Sequence, residues 1–233
     1  MGNMGSEKKM PKRITVCNSK GGSSKTSTCR NLGVIAARSG FNVALFDLDE
    51  QKTLTNWYDE RPKNMVRMTL VTGTMADIGE IAELDDFDLA FIDTPPLTTG
   101  LAEDSDDRQM HELMRKVIAV SDMLIVPSGQ QKEDWVSSIA WMDYLKMRHA
   151  KYAALLSATT RRSKSFEVAK NQILRAGHSL CPKDIPRVED IPLSYTYGIG
   201  VVEMKGAKGA EDYESVWAWL RGELGIAAKA VGE

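Results

Sequence analysis

Short apolar runs alternate with amphipathic stretches along most of the chain, and this alternation predicts the fold. Apolar runs that are typical of buried β-strands lie at 13–18, 42–49, 66–72, 87–96, 122–128 and 152–160. Helical spacing of apolar residues predicts helices at 25–40, around 53–61, near 132–149 and at about 210–224. Strands that are apolar throughout and alternate with helices indicate a parallel sheet covered on both faces. We therefore predict an α/β fold with a doubly wound, mostly parallel sheet.

The composition fits one globular domain and narrows the classes of partner. The chain has 233 residues, of which 42% are hydrophobic and 27% charged, as in ordinary globular proteins. The net charge of −2 means that nucleic-acid binding requires a local basic patch. The three cysteines are too few and too scattered for a disulfide framework or a metal site. No apolar run reaches the roughly 18 residues that span a membrane, so we expect no stable membrane insertion.

The two ends of the chain are expected to lie outside the domain. We predict a flexible leader at 1–12, a single domain at 13–226 and a tail at 227–233. Met1 and Gly2 with Ser6 match an N-myristoylation pattern. The pattern is short, and a flexible leader or a start at Met10 is the simpler interpretation.

The loop after the first predicted strand has the context of a phosphate-binding loop. It reads SKGGSSKT (19–26) and lies between a strand and a helix. Backbone N–H groups and the positive end of the helix attract phosphate there. Lys25 would contact the β- and γ-phosphates, and the Thr26 hydroxyl would bind Mg²⁺. The general pattern G-x-x-x-x-G-K-[ST] fails, however, because Ser19 and Ser24 stand at both glycine positions.

Aspartates end two further predicted strands. Asp47 and Asp49 point the same way from the end of the second strand, and Asp93 ends the fourth, just before two prolines. Ligands bind at the carboxyl ends of parallel strands. An aspartate at such an end, beside a phosphate loop, is well placed to hold a Mg²⁺-bound water.

These three loops together resemble the ParA/MinD family of deviant Walker ATPases. The family loop K-G-G-x-G-K-[ST] opens with an extra lysine, which is Lys20 here. The aspartate pair with Gln51 and the Asp-x-Pro-Pro run at 93–96 match the second and third motifs. The similarity extends from about residue 13 to 224 and includes IPR at 185–187. With no helix-turn-helix domain before residue 13, and with LTNW at 54–57, the chain resembles the small ParA type of plasmid partition systems.

The resemblance implies roles for individual residues. Lys20 would reach the nucleotide of a partner subunit and, with Lys25, Asp47 and Asp49, would make up the catalytic set. Asp49 would orient the attacking water. The metal would be held by Thr26 and, through water, by Asp93 and Asp47. Residues expected to contact the nucleotide are Lys20, Gly21, Gly22, Ser23, Ser24, Lys25, Thr26, Ser27, Pro186 and Arg187.

The resemblance also implies partners and a location. Members of the family bind Mg-ATP, form ATP-dependent homodimers and bind DNA nonspecifically, so a cytoplasmic, nucleoid-associated protein with a ParB-like or other adaptor partner is expected. Candidate DNA contacts are Arg161, Arg162, Lys164, Arg175, Lys205 and Lys208. Any one of these residues could equally belong to a solvated charged face.

Alternative functions differ in which features they require. A nucleotide-gated binding or positioning module for another cargo, with little or no turnover, remains open because Ser24 replaces the family glycine and Glu50 a common proline. Membrane positioning of the MinD kind needs an amphipathic tail with bulky apolar and basic residues, which the small residues at 225–233 do not provide. Iron–sulfur reductases and bacterial tyrosine kinases of related sequence need loop cysteines and a tyrosine-rich tail respectively, and neither is present.

Ser24 carries a further expectation. If its backbone is left-handed, a serine there costs about 1–3 kcal/mol. We expect the loop to bind Mg-ATP nevertheless, somewhat loosely, with Lys20 and the dimer completing the site.

Overall fold

The computed structural model describes residues 10–81, 83–97 and 105–229, and only the backbone of 105–110. The myristoylation pattern and most of the predicted leader lie outside these residues. The strands are Lys12–Val16 (β1), Val43–Asp47 (β2), Thr69–Thr72 (β3), Leu89–Asp93 (β4), Met123–Ser128 (β5), Tyr152–Thr159 (β6) and Ile185–Pro186 (β7). The helices are Lys25–Arg38 (α1), Thr53–Asp59 (α2), Ile78–Ile81 (α3), Ser105–Val120 (α4), Lys132–Met147 (α5), Lys164–Arg175 (α6), Asp190–Thr196 (α7) and Ala210–Leu224 (α8).

The seven strands form one parallel sheet in the order β3-β2-β4-β1-β5-β6-β7. One buried cluster joins one face of the sheet to α1, α2, α7 and α8. The other joins the opposite face to α3, α4, α5 and α6. Successive residues of the central strands pack alternately into the two clusters. Both faces of these strands are therefore buried, which explains why the strands are apolar throughout. The predicted doubly wound α/β fold is confirmed.

All six predicted strands are present, but several are shorter than their apolar runs. The third begins at Thr69 rather than at 66 because side chains occupy the carbonyls before it. Arg61 donates to the carbonyl of Val66 from Nε and Nη2, at 3.1 and 3.0 Å, and the Tyr58 hydroxyl donates to that of Met68. Among the described elements, the hydrophobic pattern did not predict α3, α4, α6, α7 and the two-residue β7.

The last described residues pack on the sheet edge opposite the strand ends that carry the aspartates. Lys229 forms an ion pair of 2.5 Å with Asp88 and lies 5.1 Å from the ring centre of Phe41. This part of the predicted tail therefore contacts the domain.

Candidate functional site

The strand register brings the predicted site residues to one edge of the sheet. Asp93 at the end of β4 is the Cα partner of both Val16 in β1 and Asp47 in β2. The loop that follows β1 and the two aspartates are therefore neighbours in adjacent strands. This alignment was expected from the rule that parallel strands present their carboxyl ends together.

Two left-handed residues shape the loop between β1 and α1. Gly22 has φ 70° and Ser24, immediately before α1, has φ 70° and ψ 24°. Glycine adopts such angles freely, whereas serine pays a steric cost. The Ser24 side chain makes no capping hydrogen bond to the helix. Its hydroxyl is therefore not used to begin α1.

Lys25 lies under this loop. It is 6% exposed, and its ammonium donates to the carbonyl of Lys20 at 3.3 Å. Burial lowers the pKa of Lys25, while the neighbouring carboxylates of Asp93 and Asp49 act to raise it. A cation that is desolvated and close to backbone N–H groups is suited to hold a phosphate.

Three consecutive residues fasten the start of the loop to α5 and to the end of β5. Asn18 donates to the carbonyl of Pro127 at 2.6 Å and to the hydroxyl of Ser138 at 2.9 Å. The hydroxyls of Ser19 and Ser137 are 2.8 Å apart.

The third of these contacts is an ion pair between Lys20 and Asp134. The contribution of α5 could not be predicted from the sequence, because two serines and an aspartate in an amphipathic helix form no recognisable motif.

Asp93 is fully buried, and neither carboxylate oxygen has a well-formed hydrogen bond among the described residues. Burial raises the pKa of Asp93 to about 7; the nearby hydroxyl of Thr26 and the charge of Lys25 oppose this rise, and Asp47 adds to it. A buried carboxylate without a partner is expensive. Such a group indicates that a cation or a donor completes the site.

Asp47 and Asp49 differ sharply in their surroundings. The buried carboxylate of Asp47 accepts from the backbone and hydroxyl of Thr55 at 2.8 and 2.6 Å and from the amide of Asp49 at 3.2 Å. Asp49 is partly exposed, and within the described part of the chain its carboxylate accepts only from the amide of Gln51, at 3.0 Å. Asp47 thus stabilises the loop between β2 and α2. The carboxylate of Asp49 can still accept a hydrogen bond from a water.

The donor set suits a hydrated Mg²⁺ bound mainly by phosphate. Among the described residues, no three His, Cys, Asp or Glu side chains converge to hold a metal ion. Mg²⁺ usually keeps several waters and takes one or two protein ligands together with substrate phosphates. The Thr26 hydroxyl and the unpartnered Asp93 carboxylate fit that arrangement, and their role as metal-binding groups stays a prediction.

A cavity of about 510 Å³ adjoins the beginning of α1 and is lined in part by Pro186 and Arg187, two of the residues predicted to contact the nucleotide. Its lining includes Ser27, Arg30, Pro186, Arg187, Tyr195 and Tyr213. These residues come from α1, β7, α7, α8 and the loop after β7. Because they lie far apart in the sequence, no motif predicts that Arg30, Tyr195 and Tyr213 line this cavity. The cavity has the size and mainly apolar lining of a small-ligand site.

A second, more polar cavity of about 320 Å³ lies on the other side of Ser24. It is lined by Ser23, Gly129, Asp134 and Arg187, among others. The Ser23 hydroxyl is buried and has no hydrogen-bond partner in the described chain. Polar groups therefore face the phosphate loop from the loop after β5, from α5 and from β6, as well as from the aspartate side.

The predicted DNA contacts are exposed but not equivalent. Arg161 is bound on two sides, with Asp184 at 3.0 Å and Asp212 at 2.6 Å. Within the part of the chain that the structure describes, neither Arg162 nor Lys164, which begins α6, has an ion-pair partner. The remaining candidates, Arg175, Lys205 and Lys208, are exposed.

The chain matches the family described as the CobQ/CobB/MinD/ParA nucleotide binding domain over residues 14–201. The chain belongs to this family. The resemblance inferred from Lys20, the aspartate pair and the Asp-x-Pro-Pro run is thereby confirmed.

The individual proteins that resemble this chain have low sequence identity to it. Protein VirC1 of Rhizobium radiobacter is 31% identical over 122 residues, which are 49% of this chain and 48% of VirC1. The chain thus spans about half the length of the curated relatives it matches. A MinD septum site-determining protein from Pyrococcus horikoshii, solved with Mg-ADP, superposes with TM-score 0.72 at 17% identity, covering 95% of this chain and 100% of that one.

A putative plasmid partition protein from Borrelia burgdorferi, solved with AMPPNP, superposes with TM-score 0.69 at 15% identity, covering 91% of this chain and 99% of that one. Likeness at this identity establishes the fold. Within the described residues, no helix combines the length and apolar composition needed to cross a bilayer.

Proposed function

We propose that this chain is a ParA-like ATPase of DNA partition. In this proposal it binds Mg-ATP, dimerises around two nucleotides, binds DNA nonspecifically and hydrolyses ATP slowly until a ParB-like or adaptor protein stimulates it. Family membership supports nucleotide binding, and a structural neighbour described as a plasmid partition protein supports the choice of cargo. Location on the nucleoid follows from the DNA binding. Residues 13–226 would form the ATPase domain.

The observation that carries the proposal is the position of four side chains around one loop. Lys25 lies under the loop, and Asp93 stands buried and unpartnered at the adjoining strand end. Asp49 follows at the next strand end, and Lys20 opens the loop. A phosphoryl-transfer site needs positioned cations, a metal-binding group and a group that orients water. Side chains whose chemistry suits these roles lie at this sheet edge, and this supports the proposal.

Each residue would then have a defined task. Backbone N–H groups of 21–26 and the ammonium of Lys25 would bind the β- and γ-phosphates, with Ser23 and Ser24 hydroxyls as added donors. Thr26 and Asp93 would hold a magnesium ion, which lowers the negative charge on the transferred phosphate when bound. Asp49 would accept a proton from the attacking water, and Asp47 would hold Asp49 in place through the loop amide.

The deciding experiment measures ATP binding and hydrolysis in the same preparations. Asp49→Ala is expected to bind ATP with little change, to lose most turnover and to accumulate as an ATP-bound dimer, since the phosphate contacts remain and the water loses its acceptor. Lys25→Ala is expected to lose ATP binding itself. Glu50→Gln is the matched control, because Glu50 is the exposed neighbour of Asp49. Unchanged hydrolysis in Asp49→Ala would remove this residue from the mechanism, and failure of the unmodified protein to bind ATP with Mg²⁺ would overturn the proposal.

A second candidate is a nucleotide-gated binding or positioning module with little or no turnover. The left-handed Ser24 and the pairing of Lys20 within its own chain favour it. Single-turnover measurements with DNA present separate the two candidates. Binding and dimerisation without detectable phosphate release would favour the module.

A further inference from the structure

The indole ring of Trp57 in α2 lies within cation–π distance of two buried guanidinium groups. The guanidinium carbons of Arg30 and Arg61 are 5.9 and 5.3 Å from its ring centre. Trp57 is fully buried, and Arg30 and Arg61 are 2% and 5% exposed. Cation–π contacts are stronger when desolvated. This stack therefore helps to fix the position of α2.

The stack is also fastened to the chain that follows α7. The carbonyl of Ile199 accepts from Nη1 of Arg30 at 3.0 Å and from Nε1 of Trp57 at 3.1 Å. Arg61 forms a bidentate pair with Glu203 at 2.6 and 2.9 Å. The seven-residue helix α2 is thus held in place by Trp57 within it and by Arg61 just after its end.

The other end of α2 is tied to the candidate site. Thr55 lies two residues before Trp57 and donates twice to Oδ2 of Asp47. The other oxygen of Asp47 accepts from the amide of Asp49. A shift of α2 would therefore move the backbone that carries Asp49.

Arg30 connects this assembly to the larger cavity. It follows Thr26 by one helical turn, lines the cavity of about 510 Å³ and lies 5.6 Å from the ring centre of Tyr195. Burial lowers the pKa of Arg30 to about 10, and no carboxylate pairs with it among the described residues. Carbonyls and aromatic rings balance its charge instead. A base that fills the cavity would displace the water beside Arg30, lower the local dielectric constant and strengthen these contacts.

We propose that Arg30 is a positioning residue that links occupancy of this cavity by a base to the placement of Asp49, through Trp57, α2 and Asp47. The inference rests on the proposed function and deepens it. The triphosphate would bind at the loop, and the base would prepare the site for hydrolysis.

The test compares two ligands on the unmodified protein by hydrogen–deuterium exchange. AMPPNP carries the base, and inorganic tripolyphosphate does not. With Mg²⁺ at saturation, AMPPNP should slow exchange in 53–59 by about fivefold or more, the lower end of coupling between sites. Tripolyphosphate should protect the loop at 17–27 and leave 53–59 unchanged. Equal protection of 53–59 by both ligands would overturn the inference.

Variants of Arg30 supply a second readout. Arg30→Met should lower kcat by about tenfold with KM nearly unchanged, because ground-state binding at the loop is kept. Arg30→Lys should recover part of kcat because the positive charge remains. Recovery should be incomplete because lysine lacks the planar guanidinium group that donates to two carbonyls. Arg38→Met on the exposed end of the same helix is the control. A raised KM with unchanged kcat in Arg30→Met would overturn the inference, and if this variant does not fold, the comparison of ligands decides. Absence of all ATP binding would instead contradict the proposed function.

Discussion

Lys20 forms an ion pair with Asp134 of its own chain, at the first turn of α5. Asp134 also accepts from the amide of Gln131 at 3.3 Å, so one carboxylate caps the helix and binds the lysine. In the proposed dimer, Lys20 would instead serve the nucleotide of the partner subunit. The two arrangements compete for the same ammonium group, and the internal pair is expected to oppose dimerisation.

Asp134→Asn tests this competition. The variant keeps an acceptor for the helix cap and removes the charge that holds Lys20. Because both side chains are partly exposed, each pair is worth about 1 kcal/mol or less. A dimer breaks two such pairs, so the protein concentration for half-maximal dimerisation with Mg-ATP should fall by up to about thirtyfold. Analytical ultracentrifugation measures this. Glu133→Gln is the neighbouring control, and an unaltered midpoint in Asp134→Asn would contradict the competition.

Ser24 leads to a prediction about stability as well as binding. Its left-handed backbone is present in the loop without nucleotide. We therefore expect the strain to lower the free energy of unfolding rather than the affinity for ATP. Ser24→Gly should therefore raise the free energy of unfolding by about 1 kcal/mol and leave the Kd for ATP within about threefold. Urea unfolding and ATP titration measure the two quantities.

Ser23→Gly is the matched control for this change. Ser23 is not among the residues with positive φ, so a glycine there should lower the free energy of unfolding by about 0.5–1 kcal/mol through unfolded-state entropy. Loss of ATP binding in Ser24→Gly would show that the hydroxyl is a needed ligand. Equal destabilisation of both variants would contradict the strain argument.

The sequence was sufficient for the sheet and for the residues of the loop, since apolar runs and motif spacing are local properties. It was not sufficient for Arg30, Asp134 or Tyr213, whose roles arise from contacts between elements that lie far apart in the chain. β7 has only two residues and no periodicity to detect. The observed limits of β3 also differ from the predicted ones, because the Arg61 side chain donates to a carbonyl that a longer strand would have used for sheet hydrogen bonds.

The raised pKa of Asp93 makes stability depend on pH in a defined direction. The unfolded chain loses this proton near the ordinary value of 3.8, and burial delays the loss in the folded chain to about 7. Between these values the folded state binds more protons, so without nucleotide the free energy of unfolding falls as pH rises from 3.8 to about 7 and the effect is complete above that. Asp93→Asn removes this contribution and should be more stable than the unmodified protein at about pH 8.

Mg-ATP should reverse the preference, because only the ionised carboxylate of Asp93 holds a magnesium-bound water. The affinity for Mg-ATP should therefore increase as pH rises through about 7 in the unmodified protein and should lose this rise in Asp93→Asn. Urea unfolding and ATP titration at about pH 5 and about pH 8 measure both effects. Identical pH dependence in the two proteins would contradict the assignment.

The difference between Arg161 and its neighbours gives the last prediction. Arg161 is engaged by Asp184 and Asp212, whereas Arg162 and Lys164 extend beside the end of β6, where phosphates could reach them. When a basic side chain binds a phosphate, counterions are released, so affinity falls by about one logarithmic unit per tenfold salt for each phosphate that is bound. In the presence of Mg-ATP, replacing Arg162 and Lys164 with alanine should weaken binding to duplex DNA of any sequence. The same replacement should flatten the salt dependence by about one unit for each phosphate that is no longer bound.

Arg161→Ala is the control from the same turn, and it should lower thermal stability by breaking the bridge between the loop before β7 and α8 while changing the salt slope little. Fluorescence anisotropy over a series of salt concentrations measures the slopes. An unchanged slope in the double variant would mean that Arg162 and Lys164 belong to a solvated surface. A slope reduced most by Arg161→Ala would mean that this arginine leaves its two aspartates when DNA binds.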